Sequence, residues 1–305
     1  STQAKTLFPY TTLFRSLIEA IAGMTGSPAR IAQISEVGGG SISRAFRLQT
    51  TNAHYFLKLN AAEHDEMFAA EADGLEALCA CRSVRVPRVL AHGACGPDAY
   101  LLLEYVALRP LRDGDTGRAA GLALADLHRI EGRRFGWRRD NFIGSTPQRN
   151  EESDDWQSFF ASRRLTPQLE LARERGIHGR LIANGERLIE HLPALFAGYA
   201  PKASLLHGDL WSGNAAFDDS GELALFDPAI HYGDRESDLA MMQLFGGFPA
   251  SMVAAYREAW PLASGFEQRR TLYQLYHVLN HMNLFGGGYQ AQAERMIGSL
   301  LAELA

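Results

Sequence analysis

Asp209, Asn214 and Asp227 fall within one short stretch, LLHGDLWSGNAAFDDSGELALFDPA, from Leu205 to Ala229. Asn214 lies five positions after Asp209, and Asp227 thirteen beyond that. Transfer of a phosphoryl group from ATP to a hydroxyl needs such a set. One carboxylate takes the proton of the attacking hydroxyl, while an amide oxygen and a second carboxylate hold Mg²⁺ on the nucleotide phosphates. The apolar runs Ala215–Phe217 and Leu223–Phe226 predict two strands joined by the turn Asp218-Asp219-Ser220-Gly221. Such a hairpin puts Asn214 at the start of one strand and Asp227 at the end of the other, facing one metal-sized gap. Asp and Asn at strand ends are ordinarily turn formers. It is their joint spacing behind His207-Gly208 that points to chemistry.

Two further features fit a nucleotide. Lys58, in YFLKL, sits on a predicted strand where an inward lysine is costly unless paired. Glu71, on the helix that follows, is the expected partner, and in kinases such a pair orients the lysine on the α- and β-phosphates. The plain alternative is a solvated lysine and a surface glutamate. Gly39, Gly40 and Ser41, in GGGSISRAF, form a loop between two strands whose backbone N–H groups could approach phosphates, since glycine has no side chain. That loop is neither a GxGxxG nor a Walker A sequence. On the acceptor side, Trp211 beside Asp209 offers a flat face to a sugar ring or an attached amine. His207 is read as a brace for the loop, and Trp156 as core.

Composition narrows the class. The chain has 305 residues, 46% hydrophobic and 21% charged, enough for one large domain or two lobes with one cleft. A net charge of −5 argues against a nucleic-acid partner. The acidic residues around the hairpin would favour a cationic acceptor, or are simply solvated loop charges. The three cysteines lack paired spacing and suggest a reducing compartment. No apolar run approaches the roughly 20 residues that span a bilayer, and no secretory signal is visible. A cytoplasmic monomer with no membrane partner is expected. Thr6–Ser16, TLFPYTTLFRS, reads as the translation of a sequencing-library adapter, so residues 1–16 are set aside as non-native and genuine sequence is expected from about Leu17.

The motifs carry a resemblance. HGDLWSGN, FDPA, HYGDRESDLA and LFGGFP, together with FGWRRDNFIGSTPQRN (Phe135–Asn150) and DDWQSFFASRRLTPQLELA (Asp154–Ala172), are similar to the fructosamine kinase (ketosamine 3-kinase) family. That family lies within the aminoglycoside-phosphotransferase and protein-kinase-like superfamily. The resemblance runs from about Ile18 to near the C-terminus. It implies ATP and Mg²⁺ as cofactors and a ketosamine as acceptor, phosphorylated on the sugar 3-hydroxyl so that the unstable product releases the amine. It further implies that the backbone of Glu104, Tyr105 and Val106 meets the adenine edge, and that Asp140, Asn141 and Phe142 border the acceptor cleft. Asp234 would support the catalytic loop or line the acceptor pocket; capping of the following helix is its ordinary reading. Rival readings are an aminoglycoside, choline or methylthioribose kinase, a pseudokinase and a metal-dependent hydrolase.

The elements required to hold these residues follow from periodicity. A helix is predicted at Leu17–Met24, then strands at Ile31–Val37, Ser43–Leu48 and His54–Leu59, a helix at about Glu66–Cys81, and a strand at Tyr100–Val106. From Thr116 the pattern is helical, over Gly117–Ile130, Asp155–Glu174, Ile177–Phe196, Ala250–Trp260, Glu267–Leu284 and about Gln290–Ala305. The expected fold is α+β, a protein-kinase-like bilobal arrangement. Its small antiparallel-sheet N-lobe (17–106) carries one main helix and the nucleotide site; its larger helical C-lobe (107–305) carries catalysis and acceptor binding.

Overall fold

The computed structural model describes residues 11–25, 30–38, 42–51 and 53–304. The chain divides into two compact units: the chain up to Ala77 with Val86–Ala107, and Leu78–Arg85 with Leu108 onward.

The first unit is built on a five-stranded antiparallel sheet of β1 (Ile31–Val37), β2 (Arg44–Thr50), β3 (His54–Ala61), β4 (Val89–Cys95) and β5 (Asp98–Glu104), in the order β1-β2-β3-β5-β4. Period-2 alternation along β3 turns Tyr55, Leu57 and Leu59 into the core and leaves Phe56 and Lys58 on the other face. The inward set packs with Leu48, Leu102 and three residues of α1 (Thr11–Thr25): Leu13, Leu17 and Ile21. Their spacing of four is one face of a helix. This helix begins at Thr11 rather than Leu17, and Leu13, in the adapter-like stretch, is almost completely buried. α2 (Asp65–Leu78) completes the unit. β4 is a strand that the sequence showed only as an extended segment near Pro87.

The second unit contains α3 (Asp115–His128), the hairpin β6 (Asn141–Ile143) and β7 (Thr146–Gln148), and α4 (Trp156–Phe159). α5 (Thr166–Glu174) and α6 (Arg180–His191) follow. Next come β8 (Ser204–Leu206), β9 (Ala215–Phe217), β10 (Leu223–Leu225), β11 (His231–Gly233) and α7 (Glu236–Leu244). α8 (Ala250–Ala259), α9 (Phe266–Phe285) and α10 (Tyr289–Glu303) close the unit. The single helix expected over Asp155–Glu174 is interrupted by a π-helical turn at Phe160–Leu165. Pro167 lacks an N–H and its ring crowds the carbonyl of Arg163, so a continuous α ladder cannot pass through it. Likewise Ile177–Phe196 shortens to α6 and a 3₁₀ turn, Leu192–Phe196, with Pro193 in its first turn. A core of Trp156, Phe159, Phe160, Leu169, Leu188, Tyr273 and Leu279 joins these helices around α9. Among the described residues no helix is long and apolar enough to cross a membrane, and Cys79, Cys81 and Cys95 form no disulfide.

Candidate active site

β9 and β10 pair antiparallel with Ala215 opposite Leu225 and Phe217 opposite Leu223, so the predicted hairpin forms. Its turn is closed by Asp218, whose Oδ1 accepts from the backbone N–H groups of Ser220 and Glu222. At the other end the Phe226 N–H donates to the Asn214 carbonyl at 3.1 Å. The Asn214 amide nitrogen donates to Asp209 O at 3.0 Å and Asp209 Oδ2 at 3.1 Å, and reaches Asp227 O at 3.5 Å. The three residues singled out by spacing therefore meet. Asp227 is exposed and has φ 57°, the left-handed region that a non-glycine residue enters at a cost of about 1–2 kcal/mol. Such strain persists only where neighbours enforce it, and it clusters at functional sites.

A hard cation suits this donor set. The Asn214 side chain is buried, and its nitrogen makes the contacts to Asp209, so its oxygen is left as an acceptor with no hydrogen bond among the described residues. The Asp227 backbone carbonyl is 3.5 Å from the Asn214 amide nitrogen, and the charge of its carboxylate acts on Asp209. An amide oxygen and a carboxylate oxygen are ligands that Mg²⁺ prefers.

Beneath the hairpin lies a buried brace. Asp238, on α7, accepts from the N–H groups of His207 at 2.7 Å and Gly208 at 2.9 Å, and from His128 Nε2 at 3.2 Å. Gly208 has φ 82°, and a Cβ there would collide with the Ala229 carbonyl. The Asp209 N–H donates to His207 Nδ1 at 3.2 Å, so the ring proton sits on Nε2, which donates to Phe226 O at 2.9 Å. His207 thus ties Asp209 to the strand end preceding Asp227. Burial pushes its pKa down and keeps it neutral. Burial also acts to raise the Asp238 carboxyl, but the hydrogen bond and charge of His128 hold it below the usual value. Burial, and then the charge of Asp227, raise Asp209 to about 7 against the opposing bond from Asn214.

On the acceptor side, Trp211 is 39% exposed and meets Phe245 edge-on at 6.3 Å between centroids. Its ring lies over Gly213, where a Cβ would occupy the ring's place. The other residues expected at the acceptor make hydrogen bonds within the unit. Asn141 is buried: its amide donates to Ile230 O at 2.8 Å and its oxygen accepts from Gln148 and Asn150 at 2.8 and 2.9 Å. Exposed Asp140 accepts from the Asn150 N–H at 2.7 Å. Asp234 is buried beneath Tyr199 and Tyr273, whose hydroxyls donate to it at 2.9 and 2.5 Å, and it also accepts from the Glu236 N–H. Burial and the nearby Glu236 charge raise Asp234 to about 6. Asn141 and Asp234 are thus engaged within the unit, while Asp140 is exposed with one carboxylate oxygen engaged. Trp156 is core, as expected, and donates to the Tyr273 hydroxyl. The sequence reading missed His277 on α9, with Nδ1 4.0 Å from Asp209 Oδ1. Its helical context, LYHVLNHMN, shows no motif that would have marked it.

In the first unit, Lys58 Nζ lies 2.6 Å from Glu71 Oε1, with both side chains nearly buried at 12% and 13% exposure. The ion pair is therefore formed on the face of β3 opposite Leu57 and Leu59. Glu104 donates its N–H to Arg88 O at 2.9 Å, and Tyr105 carries Arg47 4.7 Å over its ring. The Val106 N–H has no protein acceptor among the described residues. Gly39, Gly40 and Ser41 lie outside the described residues.

Comparison with known proteins agrees with these features. The fructosamine kinase family model matches residues 13–303. A probable ketoamine kinase of Synechocystis is 43% identical, over 94% of this chain and 97% of its own length. A chloroplastic protein-ribulosamine 3-kinase of Arabidopsis thaliana is 39% identical over 92% of this chain and 86% of its own. The solved structure of a candidate fructosamine-3-kinase from Haemophilus somnus superposes with TM-score 0.86 at 28% identity, covering 94% of this chain and 97% of that one. An aminoglycoside phosphotransferase solved with ADP and hygromycin B gives TM-score 0.62 at 18% identity, over 94% and 98% of the two chains, a likeness of fold.

Proposed function

This chain belongs to the fructosamine kinase family, and from that premise we propose that it transfers the γ-phosphoryl group of ATP to the 3-hydroxyl of a ketosamine. The observation that carries the reading is the seat of Asn214 against Asp209 and Asp227 at the open end of the β9–β10 hairpin. It supports Asp209 as the group that orients the attacking hydroxyl and receives its proton as the loose transition state forms. A carboxyl raised to about 7 accepts that proton more readily than an ordinary one. Asn214 and Asp227 would hold Mg²⁺, which when bound neutralises charge on the phosphates. Within the first unit, the Lys58–Glu71 pair supports a phosphate-binding role, and the unused Val106 N–H an adenine contact. The division of labour between a nucleotide-binding first unit and a catalytic second unit belongs to the same proposal.

Trp211 is the acceptor platform. Its exposed face suits a sugar ring or the apolar stem of a glycated amine, and Phe245 extends it. A sugar phosphate with a carbonyl adjacent to the phosphorylated carbon eliminates phosphate, and water then hydrolyses the imine that forms and frees the amine, so the reaction removes a sugar adduct. The testing measurement is turnover of Mg²⁺-ATP with a fructosamine or ribulosamine of lysine, followed by phosphorus NMR of the product. Phosphate on the sugar O3, absent with kanamycin or choline as acceptor, is the expected result. Bound ATP with no transfer to any ketosamine would overturn it.

A further inference from the structure

His277, on α9, has no place in the mechanism above, yet it lies beside the proposed base. It is 4% exposed, and its Nδ1 lies 4.0 Å from Asp209 Oδ1. That gap is too long for a hydrogen bond. It matches two groups that share one oxygen between them, each at about 2.8 Å. Nδ1 is buried and has no hydrogen-bond partner among the described residues. Buried polar atoms are nearly always satisfied, and one left open beside a reactive carboxylate calls for a partner that is absent from the protein itself. The ring is held in place: Tyr276 packs edge-on at 5.1 Å, and the His277 carbonyl accepts from His281 Nδ1 at 2.8 Å. Burial, with His281 and Arg164 nearby, depresses the imidazole to about 3 and keeps it neutral. A neutral ring carries one N–H to give and makes no ion pair with Asp209 to close the gap.

We propose that His277 is a second contact to the acceptor hydroxyl, which sits between Asp209 Oδ1 and His277 Nδ1. The inference rests on the phosphotransfer reading and deepens it. The hydroxyl points its proton at Asp209, and His277 donates Nδ1–H to the same oxygen. One lone pair of that oxygen is thereby occupied, and another is left to face the γ-phosphorus. In the transfer step the oxygen forms its bond to phosphorus, and the bond from phosphorus to the β–γ bridging oxygen breaks and leaves ADP. The hydroxyl proton passes to Asp209, while His277 keeps its own. In a loose transition state the incoming oxygen carries little bonding, so a hydrogen bond to it directs the attack at small cost in nucleophilicity.

The test compares His277→Leu and His277→Asn in the full chain, with lysine fructosamine and Mg²⁺-ATP. Asparagine can place its amide nitrogen near the position of Nδ1; leucine cannot donate. We expect kcat to fall about 30-fold in the leucine variant, with the KM for ATP and the melting temperature unchanged. Asparagine should restore kcat to within about fivefold of the parent. A leucine variant within twofold of the parent, or a folded asparagine variant as slow as leucine, overturns the proposal. Should the leucine variant fail to fold, ¹⁵N NMR of the histidines of the parent chain decides. Adding the ketosamine in the presence of ADP must shift the Nδ1 resonance of His277, and an unmoved resonance overturns the contact. A parent chain that transfers to no ketosamine is a different failure, since it removes the phosphotransfer reading and this inference with it.

Discussion

Asp209 combines three properties that spacing alone could not give: it is placed by Asn214, tethered through its N–H to His207, and raised to about 7 by burial and the charge of Asp227. Its loss should separate chemistry from binding. The variant Asp209→Ala is expected to lower phosphoryl transfer by at least about 10³-fold, because it removes both the orienting acceptor and the proton's destination. Nucleotide affinity should stay near that of the parent, since the carboxylate meets the acceptor and not the phosphates. Coupled ADP release gives the first quantity and fluorescence titration with ATP the second; turnover close to the parent's would remove Asp209 from the mechanism. Of the residues legible in the sequence, those with a chemical reason to be paired do meet: Lys58 with Glu71, and Asn214 with Asp209 and Asp227. Asn141 was read as bordering the acceptor cleft and Asp234 as supporting the catalytic loop or lining the acceptor pocket; both have partners distant in sequence, such as Gln148 and Tyr273. Spacing shows which polar groups are present. It does not show which of them the fold has already used.

Elements carry the next layer. α1 stores its contribution in Leu13, Leu17 and Ile21 against β2, β3 and β5. Leu13→Ala should destabilise the first unit by about 2–4 kcal/mol through lost burial and the cavity left behind. A melting temperature lower by about 5 °C or more is the expected reading, and an unchanged one would show that the helix does not begin before Leu17. The pair β8–β11 supports a pH prediction. His231, on β11, donates Nδ1–H to Ala229 O at 3.1 Å, and burial, with Arg164 next in effect, lowers its pKa from 6.5 to about 3. Between these values the unfolded chain binds a proton that the folded chain does not, so stability rises with pH there. The contribution of His231 is fully present above pH 6.5 and is lost as the pH falls toward 3. The raised acids Asp209 and Asp234 act in the opposite sense, so the parent's own pH curve mixes the effects. A difference isolates one proton. The stability gap between parent and His231→Asn should close by about 1.4 kcal/mol per pH unit below 6.5, as far as one full proton is involved. Parallel curves would contradict a buried neutral His231. Long periodic elements such as α3, α9 and α10 were legible almost to their ends. The three-residue strands β6, β7, β8 and β11 were not, because three residues cannot display an alternation, and the π turn before α5 follows from a proline that a periodicity count passes over.

At the scale of the whole chain there are two units with separate cores, one around β3 and α1 and one around α9. The family assignment asks more of them than of either core alone, because a kinase must hold ATP before any hydroxyl arrives. That requirement can be measured apart from catalysis. A ligand that binds only the folded chain stabilises it by about 2.7 kcal/mol at a concentration 100 times its Kd. For a chain of this size that corresponds to about 5 °C in Tm. Saturating Mg²⁺-ATP should therefore raise the Tm of the parent. Asp209→Ala should keep the rise, since its defect lies in the transfer step. Lys58→Met should lose most of it: the variant removes the cation that meets the phosphates and leaves Glu71 nearly buried without that partner. Chelating Mg²⁺ should shrink the rise in the parent, because Asn214 and Asp227 have no cation through which to reach the nucleotide. An Asp209→Ala variant that no longer responds to ATP would mean that the carboxylate organises the nucleotide rather than the acceptor. A Lys58→Met variant that responds as the parent does would mean that the ion pair on β3 is a strut of the sheet, and the phosphates would then need another anchor.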